Sequence, residues 1–214
     1  MAQKPDPETA RALLEKYLPE FALAVRRGEG DSDEHLLTLF SVAQACKGES
    51  YVELGVRGGH TTLPLLLAAY LNGGHLYSVD IEETEFECPP ELANNWTFIK
   101  QDAVQFLEKW DENLRMDFVY LDDWHAYPHV KKELEQIDRY VGPSSVILVH
   151  DLMYGHTEPF YHSDMTLPDG QWAEGGPYRA VAELPLQFWE WATLPWNHGL
   201  TLLRKKYSRL YHRR

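Results

Sequence analysis

The feature that most constrains the fold is the stretch from Tyr51 to Thr62, Tyr-Val-Glu-Leu-Gly-Val-Arg-Gly-Gly-His-Thr-Thr. A short apolar run gives way to glycine-rich backbone and then to a helix start, which is typical of nucleotide-type binding sites. Glycine lets a ligand approach the backbone closely and permits positive φ. A carboxylate just before the turn would repel a pyrophosphate, but it suits a ligand that carries an amino group. The candidate binding residues are therefore Glu53, Gly55, Gly58 and Gly59, with an ordinary tight turn as the alternative.

The spacing of this stretch is Glu-x-Gly-x-x-Gly-Gly, so the Gly-x-Gly-x-x-Gly fingerprint of dinucleotide sites is absent. The pattern resembles motif I of class I S-adenosylmethionine-dependent methyltransferases. The resemblance implies that Glu53 and the backbone of residues 55–59 face the methionine end of that cofactor.

Apolar strands and amphipathic helices alternate along most of the chain, which predicts a parallel sheet covered on both faces. We expect an α/β fold that is Rossmann-like and doubly wound, with a mostly parallel seven-stranded sheet and an antiparallel edge strand. The predicted strands are 51–54, 76–81, 96–100, 117–121, 145–149, 191–194 and 200–205. The predicted helices are 8–17, 32–46, 60–71, 103–110, 127–141 and 178–191, and Ser32 and Asp33 are predicted to cap the second of them. Residues 1–48 would cap the site, 49–206 would form the catalytic domain, and 207–214 would form a basic tail.

Composition narrows the class of partner. The chain has 214 residues, a length that favours one domain. Its formal net charge of −13 argues against a nucleic-acid substrate. Cys46 and Cys88 form no metal or redox motif, which fits a reducing cytoplasm. The longest apolar run, Leu63 to Leu71, is too short to span a membrane. The segment Arg204–Arg214 holds six of the 20 Lys and Arg residues, and it is either a solvated end or a contact for an acidic partner.

Polar residues follow the second and third predicted strands. Asp80 ends the second strand, and a carboxylate there can accept hydrogen bonds from both ribose hydroxyls of S-adenosylmethionine. After the third strand, the Asp102 side chain and the Ala103 backbone N–H can read the adenine edge. Both acids have an alternative, because Asp is also a favoured helix N-cap. We predict that Asp80, Asp102 and Ala103 bind the cofactor.

The fourth and fifth predicted strands end in a richer set of polar groups. Residues 121–130 read Leu-Asp-Asp-Trp-His-Ala-Tyr-Pro-His-Val, and residues 149–152 read Val-His-Asp-Leu. Neighbouring strand ends would bring Asp122, His125, His150 and Asp151 to one spot. Oxygen ligands with an imidazole suit Mg²⁺, Mn²⁺ or Fe²⁺, and they equally suit base catalysis without a metal.

These segments resemble the signatures of a small-molecule methyltransferase family, methyltransferase domain 24. Residues 122–130 resemble its Asp-Gly-x-His-x-Tyr-x-x-Val signature, Val149-His150-Asp151 its fifth-strand His-Asp, and residues 175–184 its Gly-x-x-x-Ala-Val helix start. Metal-dependent relatives hold the ion with acids that match Asp122 and Asp151. This chain departs from the pattern twice, with Asp123 in place of the glycine and Leu152 in place of a third metal ligand.

Other residues near these signatures are predicted to have structural roles. We predict that His129 is solvated. Tyr127 is predicted to be a packing residue of the helix start, with a place in the lining of the cofactor pocket as its alternative. His125 is either a residue of the site or a cap at the start of its helix. Residues 152–177 are rich in aromatic side chains, which suits a lid over an apolar acceptor or a homodimer interface.

The sequence thus predicts a cytoplasmic S-adenosylmethionine-dependent methyltransferase that acts on a hydroxyl of a small molecule. His125, His150 or Asp151 would be the general base, Asp122 would belong to the cofactor site, and a divalent cation on Asp122 and Asp151 is the alternative way to activate the acceptor. Two other functions stay open, a nicotinamide-dependent oxidoreductase and a non-catalytic protein that keeps the fold.

Overall fold

A seven-stranded sheet forms the centre of the protein, seen in a computed structural model that describes residues 4–28, 30, 32–153 and 175–207. The strand order is β3-β2-β1-β4-β5-β7-β6. Strands β1 to β5 pair in parallel, and β7 runs antiparallel to both of its neighbours. The strands are β1 (Ser50–Leu54), β2 (His75–Asp80), β3 (Trp96–Lys100), β4 (Phe118–Leu121), β5 (Val146–His150), β6 (Trp189–Leu194) and β7 (Leu200–Lys205).

Helices cover both faces of the sheet. One apolar core includes Val52 and Leu54 of β1, and the other includes Tyr51, so alternate side chains of the strand enter opposite cores. None of the described helices is long and apolar enough to cross a membrane. The helices are α1 (Pro7–Arg27), α2 (Leu36–Cys46), α3 (Thr62–Asn72), α4 (Ala103–Glu108), α5 (Tyr127–Tyr140) and α6 (Gly176–Ala182), with 3₁₀ turns at Asp33–His35 and Ala93–Asn95.

The predicted fold class is confirmed, and the strand order explains where a ligand would bind. The chain passes from β1 through α3 to β2 on one side, and β4 lies on the other side of β1. The sheet therefore has a topological switch point between β1 and β4, where open α/β sheets bind their ligands at the carboxyl ends of the strands.

Two predicted helices had wrong ends. Helix α1 continues through Pro19 to Arg27, because its buried face, with Tyr17 and Phe21, offsets the roughly 3 kcal/mol cost of an internal proline. The helix predicted over 178–191 ends at Ala182, and Trp189 begins β6 instead. The aromatic side chains of residues 188–191 are as compatible with a strand as with a helix. Pairing with β7 decides in favour of the strand.

A buried ion pair joins the sheet to α5. The Lys205 ammonium lies 2.8 Å from Oδ1 of Asp138, and it donates a hydrogen bond to the Asp138 carbonyl at 2.7 Å. Both side chains are nearly inaccessible to solvent, so each charge depends on the other.

We expect Lys205→Ala to lower the free energy of unfolding by about 3–5 kcal/mol, because it leaves a carboxylate buried without its counter-charge. Chemical denaturation would measure the loss. Arg204→Ala is the matched control, because Arg204 lies beside Lys205 on β7 and forms an exposed ion pair with Glu190 of β6. Its loss should cost only about 0–1 kcal/mol. Equal losses in the two variants would contradict a special role for the buried pair.

Candidate functional site

The glycine-rich turn after β1 packs directly against the end of β4. The Gly55 N–H donates to the Val79 carbonyl, and the Asp122 N–H donates to the Leu54 carbonyl. Gly55 has φ +89°, and a Cβ there would lie 2.2 Å from the Asp122 carbonyl oxygen, so only glycine fits. Gly59 also has positive φ and abuts Phe86, whereas Gly58 meets neither constraint.

Glu53 lies beneath this turn instead of facing the open side of the site. Its carboxylate accepts hydrogen bonds from the hydroxyls of Thr61 at 2.7 Å, Thr62 at 2.9 Å and Ser78 at 2.6 Å. Burial raises its pKa to about 7, although the three hydroxyls favour the charged form. Glu53 thus ties the start of α3 to β1 and β2, and its contact with a cofactor stays a prediction.

Asp80 holds the other side of the turn. Its Oδ2 accepts from the N–H groups of Val56 at 2.8 Å and Arg57 at 3.0 Å, and its Oδ1 accepts from the N–H of Glu82 at 3.0 Å. Burial alone would raise its pKa, but these backbone donors outweigh burial and lower it. The carboxylate is therefore a charged, half-buried group beside the glycine-rich turn.

Asp102 caps the helix that follows β3. Its Oδ1 accepts from the Gln105 N–H at 2.9 Å, so the capping alternative is observed, and Ala103 beside it is buried. The cap leaves the second carboxylate oxygen available, and contact with an adenine ring stays a prediction for both residues.

The ends of β4 and β5 bring two acids and two histidines together. His125 Nε2 lies 3.1 Å from Oδ2 of Asp151 and 3.5 Å from Oδ1 of Asp122. His150 Nδ1 lies 3.4 Å from Oδ1 of Asp122 and 3.3 Å from Oδ1 of Asp151. All four groups therefore titrate as one unit.

Both ring nitrogens of His150 face oxygen acceptors. Its Nδ1 faces the carboxylates of Asp122 and Asp151, and its Nε2 lies 3.0 Å from the Asn197 carbonyl, so every partner accepts. Burial would lower its pKa, but the two carboxylates raise it well above the ordinary value. The pKa values of Asp122 and Asp151 are lowered in turn, mainly by His150 acting against burial.

Three contacts in this cluster were missed in the sequence. The hydroxyls of Tyr120 and Ser32 donate to Oδ2 of Asp122 at 2.8 and 3.2 Å, and His198 Nδ1 lies 3.2 Å from Oδ1 of Asp151. Ser32 was predicted to cap α2, but its side chain bonds Asp122 instead. Tyr120 shares its strand face with Asp122, and that period of two was the available signal. His198 is brought in by the β6–β7 turn, for which the sequence held no signal.

The predicted solvation of His129 was wrong. Only 11% of its side chain is exposed, and its Nε2 lies 3.0 Å from Oδ2 of Asp123 and 3.7 Å from Oε1 of Glu133. The packing role of Tyr127 is observed, since its hydroxyl donates to Glu183 at 2.6 Å and joins α5 to α6.

A cleft opens between the glycine-rich turn and the end of β4. It contains about 340 Å³ of atom-free space, including its mouth, and Ser32, Gly55 and Asp122 contribute to its lining. Residues 154–174 of the predicted lid and residues 208–214 of the basic tail lie outside the described part of the chain.

Residues 52–152 match the sequence model of a family described as methyltransferase domain. The matched stretch, 101 of the 214 residues, is similar to a methyltransferase domain. The match begins in β1 and ends just after β5, so it contains the glycine-rich turn and the acid–histidine cluster. The predicted family resemblance and the expectation of a methyltransferase are therefore confirmed.

Solved structures share the fold at low sequence identity. SAH-bound PaMTH1, a methyltransferase from Podospora anserina, is 16% identical with a TM-score of 0.59, covering 96% of this chain and 99% of that chain. The O-methyltransferase TomG from Streptomyces achromogenes, in complex with SAM, is 16% identical with a TM-score of 0.56 and 88% coverage of each chain. An O-methyltransferase from Bacillus cereus, in complex with SAH, is 14% identical with a TM-score of 0.52, and the match covers 94% of this chain and 92% of that chain. Among proteins with curated descriptions, none matches this sequence.

The raised pKa of Glu53 makes a prediction about stability. Its folded-state pKa of about 7 exceeds the ordinary 4.5, so between these values the folded protein keeps a proton that the unfolded chain releases. Stability is therefore lost as pH rises through this window, on the order of 3 kcal/mol in all. Glu53→Gln should remove this contribution, so its free energy of unfolding should fall less between pH 4.5 and 8 than that of the wild type.

Urea denaturation at several pH values would measure the difference. Glu49→Gln is the control, because it removes an exposed carboxylate just before the same strand and should track the wild type. Parallel pH profiles for the wild type and Glu53→Gln would contradict the assignment.

Proposed function

We propose that the protein transfers the methyl group of S-adenosylmethionine to a hydroxyl group of a small molecule. One observation carries the proposal: the glycine-rich turn of the methyltransferase domain and the acid–histidine cluster meet at Asp122. A bound cofactor and a basic group for the acceptor would then lie side by side. The cofactors in the PaMTH1, TomG and B. cereus structures support the choice of S-adenosylmethionine.

The open side of the cleft fits this cofactor. Asp80 and Asp122 place two negative charges beside the glycine-rich backbone, which suits the ribose hydroxyls and the amino and sulfonium groups. In the proposal, Asp80 holds the ribose, Asp102 and Ala103 read the adenine, and residues 55–59 hold the methionine end. Glu53 supports this backbone from below through Thr61 and Thr62.

When bound, S-adenosylmethionine supplies an electrophilic methyl group on sulfur, which the acceptor oxygen takes in one displacement. The protein aligns the two reactants and accepts the hydroxyl proton. His150 is protonated already, so it cannot take that proton, and its role is to keep Asp122 and Asp151 ionised. We assign the base to His125, because Asp122 and Asp151 raise its pKa against burial and stabilise the imidazolium that it becomes.

The same donors bear on the predicted metal. One ligand atom each from Asp122, His125 and Asp151 lie within 4.8 Å of one another, as a metal centre requires. However, the protonated Nδ1 of His150 points at the carboxylates that would hold the ion. Since His150 already places a positive charge between the two carboxylates, the residues fit a dication poorly, and the proposed reaction uses none.

Cofactor binding is tested at Asp80. We expect Asp80→Ala to weaken binding of S-adenosylhomocysteine by about 1.5–3 kcal/mol, because the variant loses charged hydrogen bonds to the ribose and to the turn. Titration calorimetry would measure the affinity. Glu83→Ala, an exposed acid three residues away that pairs with Lys100, should bind like the wild type. Unchanged affinity in a folded Asp80→Ala protein, or equal binding of NAD(H), would argue for another cofactor or none.

Base catalysis is tested at His125. We expect His125→Ala to lower kcat by about 10²–10⁴-fold while cofactor affinity is unchanged. The wild-type rate should rise with pH through an ionisation above 6.5, because the base form must be deprotonated and the pKa of His125 is raised. His75→Ala, at the opposite end of the sheet, is the control.

Chelation separates this mechanism from the metal alternative. Activity should survive EDTA if His125 is the base. Activity that vanishes with EDTA, returns with Mg²⁺ and is abolished by Asp122→Asn or Asp151→Asn would place the metal there instead. If the protein binds the cofactor but methylates no acceptor in a broad screen, the non-catalytic function would be favoured.

A further inference from the structure

A second cluster of metal-ligating groups lies beside the first. Asp123 follows β4, and His129 and Glu133 lie one turn apart on α5. One ligand atom from each lies within 4.8 Å of the others. His129 Nε2 is 3.0 Å from Oδ2 of Asp123 and 3.7 Å from Oε1 of Glu133. These separations bracket the roughly 3–3.4 Å between neighbouring ligands when each bond to an ion is about 2.0–2.1 Å.

Glu133 is the decisive residue of this cluster. Its side chain is fully buried, and neither carboxylate oxygen accepts a hydrogen bond from an N–H or O–H donor among the described residues, while the neighbouring carboxyl group is that of Asp123. Burial raises its pKa well above the ordinary value, and the negative charges of Asp123 and Asp102 raise it further. A carboxyl group left in this state is costly unless a cation or a proton satisfies it.

The balance of charges distinguishes this cluster from the first. Around Asp122 and Asp151, the imidazoles of His125, His150 and His198 each lie within 3.3 Å of a carboxylate oxygen of Asp151. Around Glu133, a single imidazole stands against the carboxylates of Asp123, Asp102 and Glu133 itself. The second cluster therefore has the excess negative charge that a dication would neutralise.

We propose that Asp123, His129 and Glu133 bind a divalent transition-metal ion. An imidazole with two carboxylates suits Zn²⁺ better than Mg²⁺, which prefers oxygen ligands in octahedral geometry. Access is available, because 18% of the Asp123 side chain and 11% of the His129 side chain are exposed. The ion would pin the segment after β4 to the first turns of α5, so its role is to hold the wall of the cleft in place.

Zn²⁺ and Mg²⁺ are the probes. The full-length protein, freed of metal by a chelator and dialysed, would be titrated with each ion by calorimetry, and its thermal unfolding followed with and without the ion. We expect one Zn²⁺ to bind at this cluster and to raise the unfolding temperature, with Mg²⁺ far weaker. Glu133→Gln and His129→Asn should each weaken this site by about 100-fold or more, since losing even an indirect partner of a metal ligand costs about 10–100-fold.

Two controls make the result specific. Glu135→Gln removes an exposed carboxylate from the same helix and should leave Zn²⁺ binding unchanged. Asp122→Asn tests the neighbouring cluster and should also leave this site occupied. Glu133→Gln should unfold no earlier than the wild type without metal, because it replaces an unsatisfied buried acid by a neutral group, so loss of binding could not be ascribed to misfolding.

The proposal would be overturned if the wild type took up no Zn²⁺, if Glu133→Gln bound it as the wild type does, or if Asp122→Asn abolished it. The first outcome would mean that Asp123 and Glu133 share a proton. These readouts are binding and stability, so they are independent of whether the transferase reaction or its base is correctly assigned.

Discussion

The architecture of the site depends on the contact of the buried His150 ring with two carboxylates. Two carboxylates at adjacent strand ends would repel each other strongly in a medium of low polarity. His150 lies between them, 3.4 Å from Asp122 and 3.3 Å from Asp151, and its other nitrogen reaches the Asn197 carbonyl at the β6–β7 turn. This ring therefore joins three parts of the sheet, and the two carboxylates raise its pKa while it lowers theirs.

The two acids beside the glycine-rich turn stabilise the local structure through hydrogen bonds. Glu53 is held by three hydroxyls from below, and Asp80 accepts two N–H groups of the turn itself. With Gly55 closed against the end of β4, the turn is held from three directions. A site held in this way needs little rearrangement when a ligand arrives, which is how preorganisation improves binding.

Asp122 and Asp123 are adjacent in sequence but belong to different chemistry. Asp122 lies among hydroxyls and imidazoles, where its charge is compensated. Asp123 stands where the related family usually has glycine, and it adds an acid to a helix face that already carries Glu133. Asp123 thus places a second carboxylate beside Glu133, and these two acids with His129 form the metal site that we propose.

The sequence by itself determined the alternation of strands and helices, the glycine-rich turn, and the acids that end β1, β2, β4 and β5, because these depend on local periodicity and on backbone conformations that few residues tolerate. Only the tertiary structure decided what each acid contacts. The hydroxyls that bind the Glu53 carboxylate come from α3 and β2, and Ser32, which was predicted to cap a helix, bonds Asp122 instead. His198 lies in the β6–β7 turn and contacts Asp151, and Glu133 lies on the buried face of α5 near His129. Such partnerships join residues far apart in the chain, and charge compensation in a buried space depends on three-dimensional neighbours that no local pattern records.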